Sequence, residues 1–115
     1  MFKINEKTNK IYITKGDNAS FKVRVIEASG SERQLFDDDV ITLTVRKNPN
    51  SDIALSKTAV KGVIDIVPAD TKSLTTGNYV YDIQLTTFGG NIYTIVPISN
   101  FEIGEEVTQW VIQLI

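Results

Sequence analysis

The sequence predicts an all-β domain built as an antiparallel sandwich, and three observations carry that reading. Apolar side chains fall on every second position in successive runs: Phe21, Val23 and Val25; Ile41, Leu43 and Val45; Tyr79, Tyr81, Ile83 and Leu85. That spacing puts one face of a strand into a core and the other into water. Clusters of Gly, Asn, Asp and Pro separate the runs at short intervals, as turns between consecutive strands do. Finally, Leu74, Gly77 and Tyr79 have the spacing of a structural corner. Gly77 takes a positive φ at low cost, the chain reverses, and the Tyr79 ring is expected to be buried with its hydroxyl bonded to upstream backbone.

Each element can be justified in order. Residues 10–14 (KIYIT) read as a strand ended by the turn 15–18 (KGDN), and residues 19–26 as one half-buried strand with Lys22 and Arg24 outward. Residues 27–34 (EASGSERQ) are small and polar, hence a loop and a hairpin tip. Asp37, Asp38 and Asp39 precede the strand 40–46, which Pro49 and its flanking Asn residues break. Residues 53–60 and 63–67 are two strands joined at Lys61-Gly62, and 68–74 holds a single helical turn with Leu74 directed at the core. The strand 79–86 turns at Phe88-Gly89-Gly90-Asn91 into 92–98 and 100–103, with Pro97 marking an edge or bulge between the two pieces. Residues 108–115 (TQWVIQLI) are uncharged and apolar. A helix would align Val107, Trp110, Val111 and Leu114, but the run is short and partly β-branched, so a strand is expected.

Composition narrows the chemistry. A chain of 115 residues has room for one core, and 42% apolar with 23% charged residues is the balance of a folded domain. Twelve basic against fourteen acidic side chains leave no broad positive field for nucleic acid or anionic lipid. No run has the length of a signal-peptide core or a membrane span, so synthesis in the cytoplasm is expected. Cysteine is absent, which removes disulfides and thiolate metal sites. Histidine is absent too, and with it go the usual neutral-pH base, the commonest transition-metal ligand and the Ser-His pair.

Carboxylates are the catalytic groups left. Asp37, Asp38, Asp39, Asp65 and Asp82 would need two members across a cleft, one with a raised pKa, to hydrolyse a glycoside. The triplet 37–39 instead reads as solvated turn residues, and it lacks the ligand order of a calcium loop. Lys22, Arg24 and Arg46 would line one exposed sheet face, without the interleaved aromatics of a nucleic-acid surface. An uncharged apolar strand must be covered, so Trp110, Val111, Ile112, Leu114 and Ile115 are expected to mediate self-association by pairing with a neighbouring chain.

The order of these motifs carries a resemblance. Lys15-Gly16-Asp17 ahead of an alternating strand, residues 39–45 (DVITLTV), Asp70-Thr71 with Leu74, residues 77–85 (GNYVYDIQL), and Phe101-Glu102-Ile103 with Glu106-Val107-Thr108 resemble small Ig-like modules of tailed phages. Residues 10–108 resemble the N-terminal domain of the phage baseplate upper protein family. The resemblance implies an Ig-like antiparallel β-sandwich of about seven strands, one domain over 1–115, with 108–115 an apolar C-terminal segment outside the matching stretch. It implies no catalytic residues and no cofactor. It also implies a virion component of a tail or baseplate, made in the cytoplasm of a low-GC Gram-positive host. Its partners would be other virion proteins and copies of itself, with no nucleic acid, membrane or small-molecule substrate. The family domain is commonly followed by a longer region, so a stand-alone relative is expected here. The alternative is a carbohydrate or cell-surface binding module. Its aromatic candidates are Tyr12, Phe36, Phe88 and Tyr93, each expected in the core or as a staple rather than as a platform.

Overall fold

Alternation dictates the main sheet. The computed structural model describes residues 1–105. In it, β6 (Val40–Arg46) and β9 (Gly77–Thr86) pair antiparallel, with Ile41 opposite Leu85, Leu43 opposite Ile83 and Val45 opposite Tyr81. Every one of these six side chains is buried, because the period of two aligns them on one face. β10 (Ile92–Gly104) extends the sheet on the far side of β9, placing Phe101 opposite Tyr79. β2 (Ile11–Thr14) adds Ile11 opposite Phe101 and Ile13 opposite Ile103. With β1 (Phe2–Ile4) beyond β2 and β7 (Ile53–Thr58) beyond β6, the order is β1-β2-β10-β9-β6-β7.

A second, two-stranded sheet pairs β3 (Ala19–Lys22) with β8 (Val63–Ile66). Ala19, Ile64 and Ile66 enter the same buried cluster as the large sheet's inner face, and Phe2 of β1 stacks on Phe21 of β3 at 5.6 Å. The two sheets therefore share one core. A short hairpin of β4 (Val25–Ile26) and β5 (Glu32–Arg33) follows β3, and α1 (Pro68–Lys72) joins β8 to β9.

Three sequence expectations change. The sheet is mixed rather than wholly antiparallel, since β2 runs parallel to β10. The stretch 19–26 is two strands: the Val23 amide donates to the Gly62 carbonyl at 2.7 Å, and the chain then leaves β8 to pair Val25 with Arg33. The loop 27–34 consequently closes a hairpin, with Gly30 at φ 91°. The pieces 92–98 and 100–103 are one strand with two register shifts, and Pro97 lies inside the second. At Lys61-Gly62, φ values of 52° and 79° give the two positive angles that a tight turn matching the strands' twist requires.

The end of the fold around α1 is tied by polar contacts. Thr71 is fully buried, and its Oγ1 accepts the Gly16 amide at 2.8 Å, linking α1 to the β2–β3 turn. Asp70 accepts the Val67 amide at 2.8 Å and the Lys57 ammonium at 2.9 Å, so one carboxylate caps the helix and holds β7. Leu74 is half-buried against the core. Gly77 sits at φ 134°, and the buried Tyr79 donates its hydroxyl to the Thr75 carbonyl at 2.8 Å while the Lys47 ammonium stands 4.5 Å from the ring centre. Tyr81, two residues on, donates to the Asn9 carbonyl and anchors the β1–β2 turn.

Removing the Tyr79 ring opens the core at the corner. Tyr79→Ala is expected to cost about 3 to 5 kcal/mol, as large aromatic truncations do. Tyr79→Phe should cost only about 1 kcal/mol, because Thr75 is exposed and water can replace the lost donor. Denaturant melts measure both, and a Tyr79→Ala chain within about 0.5 kcal/mol of wild type refutes the anchoring role. Burial pushes the Tyr81 phenol up to about 12. Its neutral form is favoured by the fold, so this contribution is complete below the ordinary value of about 10 and is lost as pH rises from there through 12. Phenolate absorbance of the native chain should show one of the four tyrosines titrating late, and Tyr81→Phe should abolish that late component.

Candidate interaction surface

β10 is longer than its outer neighbour. β9 flanks it from Ile92 to Ile103, but β2 pairs only with Phe101 to Gly104. Among the described residues, 92–100 carry no strand on their other edge. Pro97 removes one amide there and the two register shifts break the ladder, both of which blunt an edge against pairing. The segment 92–96 ahead of Pro97 keeps its amides.

Beside this segment lies a groove of about 940 Å³, walled on the other side by the β4–β5 hairpin. Val25, Ile26, Leu85, Tyr93 and Val96 contribute apolar lining, alongside charged and polar groups that include Arg24, Glu27 and Arg33. Tyr93 lies opposite Leu85 on the core face, yet it is 55% exposed, because the hairpin stands across the groove instead of packing on it. Ile26 and Ile92 are equally open, and Phe88, at the tip of the β9–β10 turn, is 84% exposed.

The hairpin is fixed in place by charge. Arg33 of β5 donates from Nη1 to Asp39 Oδ2 at 2.7 Å and from Nη2 to Oδ1 at 3.4 Å, a two-point contact. Asp39 also accepts the Phe36 amide at 2.9 Å, and its carboxyl is only 4% exposed. The Arg33 hydrogen bond, then the Phe36 amide, hold the Asp39 carboxyl below its ordinary pKa. Arg33 also lies 5.6 Å from the Phe36 ring centre.

The structure disperses most of the residues singled out from sequence. Asp37 and Asp38 are exposed, whereas Asp39 is a buried ion-pair partner rather than a solvated turn residue. Asp65 lies in the β3–β8 sheet and Asp82 in the large sheet. Among the described residues, no three acidic side chains gather closely enough to hold a metal ion. Lys22 and Arg24 belong to the β3 side while Arg46 sits on β6, with Nη1 donating to the Ser51 carbonyl, so they share no face. Phe36, Phe88 and Tyr93 are exposed rather than in the core. Tyr12 is half-buried, its ring lying over Gly104, where a Cβ would come within 2.5 Å of Cζ. Trp110, Val111, Ile112, Leu114 and Ile115 lie outside the described residues. Among the described residues, no helix is long and apolar enough to cross a membrane. The β4–β5 turn falls within the stretch 27–34 expected as a hairpin tip, whereas its position beside β10 had no local signal in the sequence.

Comparison of the chain with protein-family models, curated proteins and solved structures found no match.

The Asp39 carboxylate has a folded pKa below its unfolded one, so its contribution to stability is complete above the ordinary carboxylate value of about 4 and is lost as pH falls below it. Asp39→Asn should therefore melt below wild type at pH 7, with the gap narrowing in acid. Equal melting temperatures at pH 7 would show that the pair does not hold the hairpin.

Proposed function

We propose that this chain is a non-enzymatic structural or assembly module of a tailed-phage particle or prophage remnant, working through protein-protein interfaces as a virion component. The observation that carries the reading is the β10 segment with no strand on its outer edge among the described residues and Ile26, Ile92 and Tyr93 exposed beside it, a surface suited to another chain rather than to a reacting small molecule. An Ig-like sandwich of seven principal strands is part of the proposal. Its support is the division of β2, β10, β9, β6 and β7 from β3 and β8, the parallel pairing of β2 with β10, and the tyrosine at the start of β9. The phage assignment itself rests on the motif resemblance.

The exposure of Phe36, Phe88 and Tyr93 favours a second reading, a carbohydrate or cell-surface binding module. Two measurements separate them. Mass spectrometry of density-purified particles from a strain carrying the gene should find the chain at a fixed ratio to the other virion proteins. Its absence from particles, together with saturable binding to a glycan array that Phe88→Ala weakens, would replace the assembly role with the binding one.

A further inference from the structure

The groove between β10 and the β4–β5 hairpin brings two kinds of group to one space. Tyr93, Ile26 and Val96 give it apolar surface, while Glu27, Arg33 and Asn91 bring polar side chains. A few placed polar groups on an apolar lining are the makings of a small-ligand site, and about 940 Å³ is at the top of the usual range of about 300 to 1,000 Å³. The space suits a ligand of several rings rather than one.

Charge decides the class of that ligand. Arg33 is committed to Asp39, and Arg24 stands 3.7 Å from Glu32, so each cation of the lining already faces a carboxylate. An anion finds no unpaired positive charge here, and a cation meets Glu27 in the company of Arg33. The Arg33 pKa is raised, first by the Asp39 hydrogen bond and more weakly by Glu27 and Tyr93, which places both of those side chains near the guanidinium. A neutral ligand held by hydrogen bonds is what remains.

The donors and acceptors for it are in position. Three hydrogen bonds from Arg33 go to Asp39 and the Gln34 carbonyl, which leaves two of its five N–H groups for a ligand. Because the Arg33 side chain is only 25% exposed and its partner Asp39 only 4%, the fork is set before a ligand arrives, and little ordering is left to be done on binding. Glu27 and Asn91 are exposed, yet their backbones are tied into turns, the Glu27 amide donating to the Ser31 carbonyl and the Asn91 carbonyl accepting the Thr87 amide. A pyranose combines what this lining asks for: C–H groups on the ring face for Tyr93, and hydroxyls on the rim for the polar groups. An extended peptide fits less well. The register shift between Thr94 and Val96, with Pro97 behind it, interrupts the backbone row along which a peptide would pair.

We infer that this groove binds a short neutral oligosaccharide, with Tyr93 under one pyranose face and Arg33, Glu27 and Asn91 on its hydroxyls. The sugar is held and not transformed. The inference rests on the second reading above, that of a carbohydrate or cell-surface binding module, and places its site at Tyr93 rather than at Phe36 or Phe88, which lie outside the groove.

The test uses the full-length chain and soluble hexasaccharides of glucose, galactose, mannose and N-acetylglucosamine, titrated by calorimetry. At least one should bind with a Kd of about 1 mM or tighter. Added salt should change that affinity little, and a sulfated form of the same sugar should bind no better. Tyr93→Ala and Glu27→Ala, both at exposed positions, should each weaken binding about tenfold or more with the melting temperature little changed. Tyr93→Phe keeps the ring and should keep most of the affinity. Phe88→Ala, at a residue 84% exposed, should leave it as it was. Binding that falls in Phe88→Ala and survives in Tyr93→Ala overturns the groove as the site while the binding-module reading stands. No binding across the panel overturns both. A preference for the sulfated sugar overturns the neutral class, and Tyr93-dependent capture of an apolar peptide without any sugar binding replaces the sugar with a peptide. The particle-composition experiment judges the assembly role independently of all these results.

Discussion

The structure depends on β9. It is the strand through which the halves of the large sheet communicate, with β6 on one side and β10 on the other. Four consecutive inward positions are filled by Tyr79, Tyr81, Ile83 and Leu85, and each is nearly inaccessible to solvent. Burying a side chain of this size is worth about 1.5 to 3 kcal/mol, so this one face supplies a large part of the driving force for the fold. Two of the four also carry hydroxyls, which must be satisfied once buried. Tyr79 reaches the corner behind it and Tyr81 reaches Asn9, so the apolar face of one strand also positions two turns distant from each other in sequence.

Polar ties do similar work where the core thins. Thr71 takes the Gly16 amide, and Asp70 joins the start of α1 to Lys57, so a helix of five residues, too short to be stable alone, is held from both neighbouring segments. Arg33 and Asp39 hold the β4–β5 hairpin away from β10 instead of on it. The groove thus persists because its wall is fixed by an ion pair rather than by packing across the gap.

Much of this was legible in the sequence wherever alternation ran for six residues or more. β6 lies where the period of two places it, and β9 begins at the corner glycine two residues before the expected strand. The short helix and the Lys61-Gly62 turn were readable from Pro68 and Gly62. β1 and β5 were not, being three and two residues long, below any detectable period. The parallel register of β2 on β10 was hidden for a different reason: nothing local to Ile11 refers to Phe101. The exposed aromatics were misjudged because an inward position at the end of a strand is buried only if the opposing layer extends that far. Tyr93 has the same phase as Leu85 and lies beyond that cover. Asp39 was misjudged in the opposite direction, since its partner Arg33 lies in the polar hairpin stretch 27–34 and nothing local to either residue pairs the two.

The pairing of Ile11 with Phe101 also sets an order of events in time. β2 leaves the ribosome well before β10, so the edge that β2 closes does not exist until the whole stretch from Ile11 to Phe101 has been made. Contacts between residues so far apart in sequence are slow to form, because the intervening loop must be closed before they return any energy. Until then β2 has only β1 beside it and β9 only β6, so each carries an open edge, a state in which nascent β proteins are prone to aggregate. A nascent chain of this fold is thus most vulnerable in the interval between the emergence of β2 and that of β10, and its chance of folding productively turns on how quickly those two strands meet.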